Sequence, residues 1–195
     1  GLIPRIVECR PDPSPFSRAV GILPGSVEIL RPSGVTASIE AEAVLFTGLA
    51  LHDGPRRLAS LPLNFDDRSR ILGLAQDRTE FHLAEALRRY GGEVEYGAAL
   101  ETLSQDDAGV TARISGQEER FDYVIGADGI GSTVRGALGL EYPGFDLPDQ
   151  WSIADVECLD WRDPTMFQGF LLEQGNVCIV APLEATRFRV ISSTA

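Results

Sequence analysis

Residues 121–140, Phe-Asp-Tyr-Val-Ile-Gly-Ala-Asp-Gly-Ile-Gly-Ser-Thr-Val-Arg-Gly-Ala-Leu-Gly-Leu, constrain the fold more than any other stretch. A short apolar run at 123–125 leads into a glycine-rich turn that holds one acid, Asp128. Ser132 can then cap a short helix over 133–138, and Gly139 can end it. The pattern is strand, tight turn, helix. In an open α/β sheet such a turn lies at the carboxyl end of a strand, where ligands bind. Glycines let backbone approach a ligand closely, and the acid can accept from a sugar hydroxyl or orient a backbone amide. Asp-Gly is also a hairpin turn, but residues 130–138 do not alternate as a second strand would. A second reading stays open, in which Asp128 only stabilises its own turn.

The rest of the composition narrows the partners. A net charge of −12 argues against nucleic acid or an anionic membrane surface. No apolar run approaches the roughly 20 residues of a membrane span, and the start, Gly-Leu-Ile-Pro-Arg, lacks a signal-peptide core. Three cysteines, Cys9, Cys158 and Cys178, form no disulfide framework and lack metal-ligand spacing. They suit a reducing, cytoplasmic setting, and no metal site is expected.

Taken in order, residues 3–8 read as a strand ending in Glu8. An acid at the tip of a second parallel strand commonly binds the ribose of a dinucleotide, although a solvated side chain is the bland alternative. The matching Gly-x-Gly-x-x-Gly loop would lie roughly 20 residues upstream of such an acid, before residue 1. Residues 10–18 are proline-rich and carry Arg10 and Arg18. A stiff loop of this kind can hold a guanidinium against phosphate oxygens. A helix is predicted over 24–31, stopped by Pro32 and Gly34. Residues 35–51 and 58–65 read as two strands joined by a turn at 52–55.

A second helix is predicted to run to residue 90, opened by a capping box of Asp77 and Glu80, with Phe81, Ala84 and Leu87 on its core face. Gln76, just before it, carries an amide able to donate to and accept from a ligand. His52 and His82 read as surface or structural residues. Residues 93–125 contain short strands, including a hairpin turning at 105–109. Four further strands are expected at 151–159, 166–173, 176–182 and 188–192, on which Trp151, Phe167 and Phe170 read as packing aromatics.

Gly126-Ala127-Asp128-Gly129, with Ser132, Val134 and Arg135, resembles the second flavin motif of the class A FAD-dependent monooxygenases, the aromatic-ring hydroxylases of the p-hydroxybenzoate hydroxylase type. The resemblance extends along nearly the whole chain, because the other candidate positions fall in the family's order. It implies that Glu8 is the ribose-binding acid, Arg18 the arginine of the pyrophosphate loop, and Gln76 a flavin or ribityl contact, with Asp128 and Gly129 in the second motif. The implied fold is α/β: a Rossmann-like FAD-binding parallel sheet with a β-meander, interleaved with an antiparallel-type sheet of a substrate domain. The FAD-binding part would comprise residues 1–35 and 70–140, and the substrate sheet 36–69 and 141–195; in the family such a sheet roofs the aromatic substrate, a pocket that the resemblance implies Trp151, Phe167 and Phe170 could line.

The chain departs from the family in two places. The upstream glycine-rich loop and the downstream Gly-Asp motif do not occur in it. The first βα unit of the fold is therefore expected to be missing. The chain would then be an internal fragment, or one that completes its sheet by self-association, as a homo-oligomer or by strand exchange. The activity implied for the parent is FAD- and NAD(P)H-dependent hydroxylation of an aromatic, phenolic or polyketide-like small molecule with O2. The named residues hold the cofactor, and none is assigned a catalytic role. Two alternatives stand beside it: a related flavoprotein epoxidase or dehydrogenase, and a non-catalytic fragment or binding module without flavin. A plain NAD dehydrogenase is disfavoured, because a separate sheet interrupts the nucleotide fold.

Overall fold

A computed structural model describes residues 4–14, 19–63, 70–148 and 150–194. In chain order the elements are β1 (Ile6–Glu8), β2 (Gly21–Ile22), α1 (Pro24–Leu30), α2 (Thr36–Glu42), β3 (Val44–Leu45), β4 (Gly48–Asp53), β5 (Arg56–Pro62) and β6 (Leu72–Gly73). There follow α3 (Gln76–Arg89), β7 (Val94–Tyr96), β8 (Leu100–Asp106), β9 (Gly109–Ile114), β10 (Gln117–Phe121) and α4 (Thr133–Ala137). The last four are β11 (Gln150–Glu157), β12 (Met166–Leu171), β13 (Val177–Pro182) and β14 (Arg187–Thr194).

The chain divides into two compact units. One comprises Gly1–Ser14 and Gly91–Leu147, the other Pro15–Tyr90 and Pro148–Ala195. In the first, β1 and β7 pair in parallel, Ile6 opposite Val94 and Glu8 opposite Tyr96. β8, β9 and β10 form the antiparallel meander anticipated from the alternating run. The guanidinium of Arg5 joins these sheets, bonding Glu95 on β7 and Glu119 on β10.

The second unit contains a six-stranded sheet in the order β11-β14-β13-β12-β4-β5. The antiparallel-type sheet of the expectation is a mixed one, because β12 runs parallel to β4 and the other neighbours are antiparallel. Along β4, Gly48, Ala50 and His52 are buried while Leu49, Leu51 and Asp53 are exposed, so the strand separates two faces. A small sheet, β2-β6-β3, stands between two buried clusters. Val27, Val35, Ile39, Leu72, Leu74 and Ala86 make one, which joins α1, α2 and α3 to β6. Val20, Phe46, Ala75, Ala181 and Leu183 make the other, which reaches the large sheet. Gly73 is closely packed: a Cβ there would press on the Phe46 ring and sit 2.6 Å from the Pro182 carbonyl.

Three local expectations are corrected. Residues 35–51 are not one strand, for Thr36–Glu42 is helical. Alanine and glutamate there favour helix, and Thr36 and Ile39, one turn apart, both turn inward. The α3 helix begins at Gln76 rather than after a capping box. Its N-cap is Ala75, with no side-chain cap, and the Ala75 carbonyl accepts from the Arg78 and Thr79 amides. Phe81 leaves the core and is 46% exposed, while Ala86 is buried. The helix is rolled so that Arg78 and His82 meet Glu42 on α2, with the Arg78 guanidinium 4.5 Å above the Phe81 ring.

The third correction concerns residues 123–125. They form no strand; the meander ends at Phe121, and Tyr123 and Ile125 are 87% and 90% exposed. A strand exists only where a neighbour satisfies its backbone groups, and among the described residues none lies beside this run.

Candidate functional site

The turn after residue 125 is built by Asp128. One carboxylate oxygen accepts from the Ser132 hydroxyl and the other from the Val134 amide at 3.1 Å. Ser132 in turn caps α4, its hydroxyl oxygen accepting from the Arg135 amide at 3.0 Å. These bonds hold the Asp128 carboxyl below its ordinary range, the Ser132 hydroxyl contributing most; burial opposes them and the Val134 amide assists. Arg135 reaches back to the carbonyls of Gly129 and Ile130 and stacks 4.7 Å from the Tyr142 ring. Glycine is required twice here. A Cβ on Gly126 would lie 2.8 Å from Val134, and Gly129 has φ 77°. Among the described residues, and leaving aside its two chain neighbours, no atom lies within 4 Å of a Cβ built on Gly129, which leaves space for a ligand beside its backbone. Asp128 therefore does stabilise its own turn. A carboxylate offers about four acceptor positions, so that duty leaves room for a ligand hydroxyl.

Glu8 stands in the same unit, at the end of β1. Its carboxylate accepts from the Arg10 amide at 2.9 Å, the Arg10 guanidinium at 3.1 Å and the Cys9 thiol at 3.4 Å. The two bonds from Arg10 pull its pKa down to about 2. The loop beyond it is tied to the end of β7, since the Glu8 and Arg10 carbonyls accept from the Ala98 and Gly97 amides. Arg10 thus orders Glu8.

Gln76 belongs to the other unit. It opens α3, and its Oε1 accepts from the Ala19 amide at 3.3 Å. Arg18 lies outside the described residues. The same unit holds the aromatic candidates on the large sheet. Phe167 and Phe170 line an apolar concavity of about 410 Å3 with Leu49, Leu51, Leu61 and Ile179. Trp151 is not part of that lining; it stands on the edge strand β11. Among the described residues no group of histidine, cysteine or acidic side chains is arranged to hold a metal ion. None of the described helices is long and apolar enough to cross a membrane.

Sequence reasoning overlooked one cluster. Arg189 is 1% exposed, on β14 opposite Asp155 of β11. Its guanidinium grips the Asp155 carboxylate through Nε at 2.8 Å and Nη2 at 3.0 Å, and Arg187 bonds the same carboxylate at 2.7 Å. Burial pushes the Asp155 pKa up, but the hydrogen bonds from Arg189 and Arg187 outweigh it and leave the pKa lowered. The only sequence signal was an arginine inside a β-favouring run, and its meaning depends on a strand register that residue order does not disclose.

Comparison with known proteins adds the following. The family described as FAD binding domain matches residues 1–192. A 12-dehydrotetracycline 5-monooxygenase/anhydrotetracycline 6-monooxygenase of Streptomyces rimosus is 34% identical over 149 residues, covering 72% of this chain and 29% of that protein. The chain thus matches less than a third of that relative's length. Among solved structures, p-nitrophenol 4-monooxygenase from Pseudomonas putida superposes with a TM-score of 0.84 at 25% identity, over 96% of this chain and 50% of the other. An aklavinone-11 hydroxylase solved with FAD and aklavinone gives a TM-score of 0.79 at 26% identity, over 97% of this chain and 41% of its own.

Proposed function

Because the chain belongs to the family of FAD-binding domains, we propose that it is part of an FAD- and NAD(P)H-dependent monooxygenase that hydroxylates a small aromatic or polyketide-like molecule with O2. The observation that carries this reading is the pairing, in one chain, of an open glycine turn around Asp128 with a mixed sheet bearing an apolar concavity of about 410 Å3. That volume falls in the range of small-molecule sites, about 300–1,000 Å3.

The residues present suit FAD. Glu8, ionised and partly exposed, offers acceptors to ribose hydroxyls. Arg18 would meet the pyrophosphate. Gln76 contributes amide donors, and Gly129 lets the cofactor lie against backbone. Asp128 shapes that turn and keeps acceptor capacity for a ligand hydroxyl. On this reading residues 1–35 and 70–140 hold the cofactor, and 36–69 and 141–195 present the substrate. FAD held there would supply the redox chemistry, the exchange of hydride with a nicotinamide and the use of oxygen. The residues of this chain bind, orient and exclude water; Leu49, Leu51, Phe167 and Phe170 provide an apolar wall against which an aromatic ring can pack. The exposed residues 123–125 suit a further parallel strand, from the rest of the polypeptide or from a second copy. Three free cysteines suit the cytoplasm.

The test supplies the full-length protein with FAD, NAD(P)H, isotopically labelled dioxygen and a panel of phenolic and polycyclic aromatic substrates. One labelled oxygen atom in the product ring is expected. Loss of two hydrogens without oxygen uptake would favour a dehydrogenase, and failure to retain flavin after desalting would favour a module without cofactor.

A further inference from the structure

Gly169 lies inside β12, in the middle of the large sheet. It pairs with Leu51 of β4 on one side and with Ile179 of β13 on the other. Side chains two positions apart on a strand share a face, so Phe167 and Leu171 stand on the same face before and behind it. Four large apolar residues thus surround one position that has no side chain. All four, and Gly169 itself, line the concavity of about 410 Å3. Strand rise and strand spacing make this bed about 13 Å long between the Cα atoms of Phe167 and Leu171, and about 10 Å wide between those of Leu51 and Ile179.

A glycine inside a strand weakens it, and it commonly marks a bulge or a place where something else must come close. Neither pairing across Gly169 is interrupted by a register shift. Packing within the sheet does not demand glycine either. A Cβ there would meet Leu51 Cδ1 at 3.6 Å and the Ala50 carbonyl at 3.9 Å, both ordinary contacts. Gly73 is the opposite case, since a Cβ there presses on Phe46. Aromatic rings can cover strand glycines and restore the lost contact. Phe167 does not do so, for none of its atoms lies within 4 Å of the place that Cβ would take.

The wall around the gap discriminates by shape. Its lining side chains are hydrocarbon except for the Cys178 sulfur, and burial pushes that thiol's pKa up, so it stays uncharged. No charged side chain lines the concavity to select a ligand by its ionised groups.

We propose that Gly169 is a specificity-determining residue: the gap between Leu51, Phe167, Leu171 and Ile179 receives the face of the substrate's aromatic ring system, and the missing side chain sets how large a ring system is admitted. This rests on the reading that the concavity is the substrate wall. A side chain at position 169 would raise the floor of the bed, and a broad fused-ring molecule, which must lie flat across it, loses more than a single ring that can shift aside.

The experiment measures binding of phenol and of hydroxyanthraquinone, one ring against three, to the FAD-loaded full-length protein by equilibrium dialysis. One methylene more or less in an apolar pocket changes affinity by about 10- to 200-fold. The ratio of hydroxyanthraquinone to phenol affinity is therefore expected to fall about tenfold in Gly169→Ala and about a hundredfold in Gly169→Val. Neither variant is expected to melt earlier, because alanine fits and valine favours strand. Leu49→Ala, at another lining position, separates the two levels of the account. If it changes the affinities while the ratio stays constant in both Gly169 variants, the proposal is overturned and the substrate wall stands. A constant ratio with earlier melting would also overturn it, since a protein segment rather than substrate would then fill the bed. If neither probe binds the unaltered protein, or if Leu49→Ala and both Gly169 variants leave every affinity unchanged, the reading beneath the proposal falls with it.

Discussion

The two compact units keep their candidate ligands by opposite means. In the unit of Gly1–Ser14 and Gly91–Leu147 the order is local: Glu8 is fixed by Arg10 two residues on, and Asp128 by Ser132 and Val134 within six. Ala112 and Ile114 are its only buried apolar side chains among the described residues. In the other unit the order comes from afar. Ala19 is held by residue 76 on one side and residue 189 on the other, and two apolar clusters enclose the elements that carry them. Short-range caps form with the turn itself and tolerate change nearby. Long-range bonds exist only once the whole unit has packed, so a defect in its core reaches the site.

That contrast is open to measurement. Its largest expected consequence is for Ile39→Ala, 1% exposed in the first cluster, which should lower unfolding free energy by about 3 kcal/mol in a urea titration. A loss below about 1 kcal/mol would mean the cluster repacks freely. Gly73→Ala comes next. Its Cβ would press on Phe46 and on the Pro182 carbonyl, and about 2 kcal/mol of destabilisation is expected from such overpacking. In the locally ordered unit, Ser132→Ala removes the α4 cap and should cost about 1 kcal/mol, with faster amide exchange confined to residues 133–138. Faster exchange on β12 or β13 would break the distinction.

The smallest effect is electrostatic. Arg10 lowers the Glu8 pKa to about 2, from an ordinary glutamate value of about 4.3. Since the folded carboxyl is the stronger acid, the unfolded chain takes up the proton first as pH falls. The stabilisation from Glu8 is therefore complete above about pH 5 and is lost progressively as pH falls toward about 2. NMR titration of the Glu8 carboxyl should show this low midpoint, and Arg10→Ala should return it toward the ordinary value.

What the sequence disclosed divides in the same way. The Ser132 cap, the Gly139 stop, the meander and the four strands of residues 150–194 were all legible, because each is written in adjacent residues: turn chemistry, alternation, a cap at fixed spacing. Glu8, Gln76, Asp128 and Gly129 could be singled out for the same reason, as acids, amides and glycines at the ends of elements. The helix at Thr36–Glu42 was hidden by the β-branched residues that follow it. The roll of α3 was hidden because it follows from Glu42, a residue on another helix. Residues 123–125 carry a strand's composition without a strand's neighbour, and composition alone cannot supply the partner. Arg189 was invisible for the same physical reason, since its importance is a register between β11 and β14.

The most direct test of the account is the FAD affinity of the full-length protein against its Asp128→Ala variant, by flavin fluorescence quenching. The turn that Asp128 builds is held to be a cofactor cradle, so the variant should bind FAD at least about tenfold more weakly. An unchanged affinity would contradict the account and leave Asp128 as the cap of a short surface helix.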